Sequence, residues 1–225
     1  MKPEDQLPNL IALVADRDIQ ETLTRLFHRT EALGFSRFPF QITRHPGRDS
    51  GCRADAANFL RQFLHSHRHS LVVFDRKGCS STSSREEIER GVESDLYRNG
   101  WERRARAVVI DPELEHWVWS GSSVVSSALG WEQGHDALRS WLSKKGLWDD
   151  GLPKPADPKA AMIHALQGAP RPNRRRRSAR VFGEIAAGAP LGSCKDPAFE
   201  KLKATLREWF PDPGPSSRKL RGRHA

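Results

Sequence analysis

Cysteine is scarce in this chain of 225 residues, and what there is does not pair by spacing. Cys52, Cys79 and Cys194 are odd in number and widely separated, with no C-x-x-C motif. That argues against a disulfide framework and a zinc ribbon and fits a reducing, cytoplasmic compartment. No apolar run approaches the roughly 18 residues of a membrane span. The opening MKPEDQLPNL has neither the basic start nor the apolar core of a secretory signal. No G-x-x-x-x-G-K-[ST] loop and no G-x-S-x-G elbow occur, so neither P-loop nucleotide hydrolysis nor α/β-hydrolase chemistry is expected. Internal repeats are also missing.

Acid is missing from two places where base is dense. RPNRRRRSAR (171–180) holds six arginines and no carboxylate, and the tail SSRKLRGRHA adds Arg218, Lys219, Arg221 and Arg223. Setting those ten charges against the net +9 leaves the rest of the chain at −1. Like-charge runs of this kind read as solvated arms that bind polyanions, so Arg174, Arg175, Arg176 and Arg177 are candidate nucleic-acid contacts. A flexible arm without a partner is the plainer alternative.

What is present is an alternation of strands and helices. The runs LIALVA (10–15), FPFQIT (38–43), SLVVF (70–74) and ARAVVI (105–110) read as strands, the second at an edge because of Pro39. Helical spacing covers 18–33, 53–66 and 85–98, the last opened by a Ser84/Glu87 capping box. That order predicts an α/β fold with a mostly parallel sheet flanked by helices. Beyond residue 150 come helices over 158–167, 178–188 and 196–209, with Asp196 and Pro197 opening the last. The expected organisation is an α/β domain over 1–149, a small helical appendage over 150–210 carrying the basic tract, and a basic tail over 211–225.

Three of the four strands end in acid: ALVADRD (12–18), LVVFDRKG (71–78) and AVVIDPELEHW (107–117). Ligands of open α/β sheets bind outside the carboxyl ends of the strands. Carboxylates meeting there suit a hard cation such as Mg²⁺ and hence phosphodiester chemistry. Each aspartate is also a plausible helix cap, and PELEHW also reads as a helix start with first-turn acids. The HSHRH run (His65, His67, His69) reads as a polar helix end, Cys79 as an idle thiol, and Trp117, Trp119, Trp131, Trp141 and Trp148 as core anchors in preference to base-stacking platforms.

The acid after the first strand, the Asp after LVVF and the PELEHW segment together resemble the topoisomerase–primase (Toprim) fold, over residues 8–120. They are most similar to Toprim-like proteins of bacterial anti-phage systems, and the combination of ADRD, FDRKG and PELEHWVW also resembles a component of the methylation-associated defence system. The resemblance implies a Rossmann-like sheet and an Mg²⁺- or Mn²⁺-dependent nuclease, with other defence proteins as possible partners. It implies catalytic roles for Asp16, Asp75 and Glu113. It places metal ligands at Asp16, Asp18, Asp75, Glu113 and Glu115, with Asp16 or Asp18 in the first position and Glu21 a helper. The pattern breaks at Lys77, where the family has a second acid. Lys77 is then a phosphate contact, and a catalytically inactive nucleic-acid-binding or scaffold subunit is the alternative. Glu113 and Glu115 face one way if extended; a helix from Pro112 would turn Glu115 away. A phosphoacceptor receiver domain, with Asp75 as the acceptor, fits less well, because AVVIDPELEHW stands where its later Ser/Thr and Lys belong.

Overall fold

The computed structural model describes residues 9–119, 122–190 and 194–212. The tail arginines and Lys219 therefore lie outside the described residues. Four strands, β1 (Leu10–Val14), β2 (Phe40–Arg44), β3 (His69–Asp75) and β4 (Ala105–Ile110), form one sheet in the order β2-β1-β3-β4. Every pairing is parallel, with Val14 opposite both Arg44 and Val73, and Asp75 opposite Ile110. The helices are α1 (Arg17–Phe27), α2 (Thr30–Leu33), α3 (Arg48–Ala54), α4 (Ala56–Leu60), α5 (Arg85–Leu96), α6 (Glu115–Val118), α7 (Ser123–Ala128), α8 (His135–Lys144), α9 (Pro158–Gly168), α10 (Ala179–Gly188) and α11 (Pro197–Trp209).

The apolar runs explain the sheet. Every residue of β1 is buried, as a central parallel strand covered on both faces requires, whereas β2 is half-exposed at an edge. The other edge, β4, is closed by two glutamates one turn apart on α5. Glu93 accepts from Ala107 N–H (3.0 Å) and Glu89 from Val109 N–H (2.9 Å). Lys201 from α11 neutralises both, at 2.7 and 3.0 Å. Strand N–H groups two apart point the same way, so carboxylates four apart on a helix can serve consecutive outward donors.

The Ser84/Glu87 capping box forms, and Asp196 caps α11 through Phe199 N–H at 3.0 Å. Two expected helices come out differently. The 18–33 helix breaks at His28–Arg29, which frees Arg29 to donate to the carbonyls of Ala186 and Ala189 at the end of α10 (3.0 and 2.6 Å). The helix expected over 53–66 instead starts at Arg48, five residues early, and breaks at Asp55. Close packing permits the early start: a Cβ at Gly51 would fall 2.0 Å from His45 Nδ1, so only glycine lets the buried His45 ring lie against α3.

The segment after residue 150 contributes to a single continuous core. α10 lies along α1, and α11 lies across β4. Phe210 stacks on Phe38 at 3.8 Å, and Arg207 Nε donates to Leu33 O at 2.7 Å. The tryptophans are anchors, three of them tied to the segment that leads into and forms α9. The indole N–H groups of Trp119, Trp131 and Trp148 donate to Pro158, Ala165 and Leu152 carbonyls, each at 3.0 Å.

Candidate functional site

In the strand order β2-β1-β3-β4, the chain leaves β1 toward β2 and then returns across it to β3. The connections after β1 and β3 therefore diverge, the topology that in open α/β sheets places a crevice at the carboxyl ends, and the acids gather at those ends. Asp16 follows β1 and caps α1, its Oδ1 accepting from Asp18 N–H (2.9 Å) and Ile19 N–H (3.0 Å). Asp75 is the last residue of β3. Its backbone N–H donates to Asp49 Oδ1 at 2.9 Å. Its own Oδ1 is buried with no partner.

Burial pushes the Asp75 carboxyl well above the usual carboxylate range, and the neighbouring charges of Asp49, Glu115, Asp16 and Glu113 push it further. Acids from all three sequence segments thus act on one another, as convergence at the strand ends predicts. Asp49 is the addition. It lies in the first turn of α3, and burial raises its carboxyl despite the Asp75 N–H bond. A Cβ at Gly78 would lie 2.5 Å from Asp49 Oδ2, so Gly78 is what admits this carboxylate beside β3. Nothing in HPGRDSG marks Asp49 as a site residue; a helix start brings it there.

Glu113 and Glu115 correct an expectation. The chain turns helically here, with Leu114 already in helical backbone and His116 N–H bonded to Glu113 O (2.9 Å), yet both carboxylates face the site. Glu113 precedes the turn, so Lys159 at the start of α9 meets both, at 2.8 Å to Glu113 and 3.9 Å to Glu115. Lys77 stands 3.6 Å from Glu113 and forms no pair with Asp75.

The arginine tract is the second correction, because it is not one solvated arm. Arg177 enters the acid site, donating from Nε and Nη2 to Glu115 Oε1 (2.8 and 2.7 Å) and from Nη1 to Asp18 (2.6 Å). Burial opposes its charge, but Glu115 and Asp18 overcome this and hold the guanidinium more firmly protonated than usual. Arg175 reaches Glu184 and the Ala128 carbonyl, while Arg174 and Arg176 stay exposed. Burial raises the Asp18 carboxyl, with Arg177 working against it.

Glu21 pairs with Arg25 at 2.9 Å on the surface of α1. His69 stacks on Trp209 at 4.5 Å, and its imidazole is lowered to about 4 by burial and by Arg68, Arg104 and Arg106. Cys79 is buried with its thiol pushed up, which keeps it unreactive.

Among the described residues no group of three or more His, Cys, Asp or Glu is arranged to hold a metal ion. Two buried carboxylate oxygens, Asp75 Oδ1 and Glu115 Oε2, have no partner. That set does not make an all-protein cage. Mg²⁺ is usually held by one or two carboxylates, with water and phosphate completing its shell. A comparison with known proteins returns no matching family model, no matching curated protein and no matching solved structure.

Proposed function

We propose that this chain is a Toprim-like protein of bacterial anti-phage defence that cleaves phosphodiester bonds of nucleic acid, with Mg²⁺ or Mn²⁺ held at Asp75 and Glu115. The observation that carries this reading is the Asp75 carboxyl, whose Oδ1 is buried without a partner and which Asp16, Asp49, Glu113 and Glu115 all act on, at the point where the connections diverge. Mutual repulsion there is relieved by a proton or by a cation. A bound divalent ion would polarise a phosphoryl oxygen and activate water. Asp49 and Asp16 orient the crevice, the first through the Asp75 backbone and the second through the start of α1. The defence setting rests on the resemblance of ADRD, FDRKG and PELEHW.

A specific observation favours a second reading, a catalytically inactive nucleic-acid-binding or scaffold subunit. Lys159 and Arg177 already counter Glu113, Glu115 and Asp18, and Lys77 stands where a second acid belongs. The two readings separate in one experiment on the full chain. Mn²⁺ binding is measured by electron paramagnetic resonance, and cleavage of DNA and RNA is assayed with Mg²⁺ or Mn²⁺, for wild type and Asp75→Asn. The enzyme reading expects binding and cleavage that Asp75→Asn abolishes while the melting transition survives. Wild type that neither takes up Mn²⁺ nor cuts any polymer establishes the second reading.

A further inference from the structure

We propose that the cleft between the carboxyl ends of β1 and β2 is a binding track for the phosphate backbone of nucleic acid. The proposal rests on the reading above only for the identity of the polymer. The cleft is open, about 600 Å³, and is lined among others by Asp16, Arg17, Gln20, Arg44, His45 and Arg48. Its three arginines come from three elements. Arg17 is the first residue of α1, Arg44 the last of β2, and Arg48 the first of α3. All three are exposed. Arg17 and Arg44 have no ion pair or side-chain hydrogen bond among the described residues. The nearest acid to Arg48 is Asp16, at 3.8 Å.

Several arginines elsewhere are committed to a carboxylate: Arg25 to Glu21, Arg85 to Glu89, Arg106 to Glu208, Arg180 to Glu184. Here three guanidinium groups converge on one concavity against the single carboxylate of Asp16. Clefts of one sign concentrate field and draw counter-charged ligands. The planar fork of arginine matches phosphate oxygens in pairs.

The turn that presents Arg48 is built for it. Arg48 holds a left-handed backbone, φ 52°, which disfavours a residue bearing a side chain and persists where surroundings enforce it. The enforcement is visible. Gly47 N–H donates to His45 Nδ1 (3.0 Å), Arg48 N–H to His45 O (3.0 Å), and the buried His45 ring packs on Phe59 at 5.0 Å. Asp16 belongs both to this cleft and to the acids around Asp75. A strand held by the arginines would therefore enter the acid crevice from the β2 side.

The test uses the full chain in EDTA, so that it does not depend on a metal. Fluorescence anisotropy follows fluorescein-labelled single-stranded DNA, duplex DNA and RNA over a salt series. The variants are Arg17→Ala/Arg44→Ala and a control, Arg68→Ala/Arg103→Ala, which removes equal charge at the opposite, amino-terminal edge of the sheet. The cleft variant should bind about tenfold more weakly and lose close to two from its log–log salt slope, with the control near wild type. Equal binding by wild type and cleft variant, or an equal loss in the control, overturns the proposal. Displacement by adenosine monophosphate at micromolar concentration overturns the backbone assignment in favour of a free nucleotide; a millimolar requirement supports the polymer. If Asp75→Asn abolishes cleavage while Arg17→Ala/Arg44→Ala binds and cuts as wild type does, the cleft fails and the enzyme reading stands.

Discussion

Asp75 holds a carboxyl group that burial and four acidic neighbours all push toward the protonated form. Because its folded pKa lies above its unfolded one, the folded state binds the proton more tightly. Stability is then greatest below the unfolded value and falls as pH rises through the folded value. Asp18 and Asp49, also raised, add to the same slope. Asp75→Asn removes the penalty, so its melting temperature at pH 8 should exceed that of wild type by about 2–4 °C, with a flatter pH profile by calorimetry. A variant that melts lower than wild type at pH 8 would show that Asp75 is not strained in this way. Arg177 works in the opposite sense. Its loss strips Asp18 of its cation and leaves the wholly buried Glu115 with only Lys159, at 3.9 Å, so Arg177→Ala should cost about 3–5 kcal/mol in urea unfolding. Arg174→Ala/Arg176→Ala, at exposed positions, should stay within about 0.5 kcal/mol of wild type.

At the scale of elements, local chemistry set the starts of helices. Ser84 with Glu87, Asp157 with Pro158, and Asp196 with Pro197 all cap as their residue types predict. It failed at α3, where no strong cap precedes the helix and the start depends on His45 filling the space left by Gly51. Gly51→Ala drives a methyl group into that ring. It should destabilise the protein by about 1–3 kcal/mol and loosen the His45–Arg48 turn, read as faster amide exchange there. Unchanged exchange would mean that the ring has room to move. The α5 glutamates show the same limit. Nothing local in the helix opened by Ser84 and Glu87 singles out Glu89 and Glu93, yet they close the β4 edge because that edge faces them.

For the whole molecule, the near-neutral body and basic tract are less separate than net charge alone implies. Arg175 and Arg177 complete ion pairs within the fold, and α10 and α11 share one core with the sheet. A fragment ending at residue 149 loses the helices over α1 and β4 together with the counter-ions of the acid crevice. It should fail to give a cooperative melt and should be cleared by limited proteolysis at a protease level the full chain survives. A fragment that melts sharply would make the C-terminal helices dispensable.

The alternation of buried strands with capped helices, and the placement of Asp16, Asp75 and Glu113 at strand ends, could be read from residue order because both follow from local periodicity and chain direction. Which cations would meet those acids could not. Lys159 and Arg177 lie 46 and 62 residues from the glutamates they contact, and no local rule pairs side chains across such a gap. Asp49 joined the group for the same reason. Its place was set by how α3 packs beneath β3, a matter of volume and shape in three dimensions.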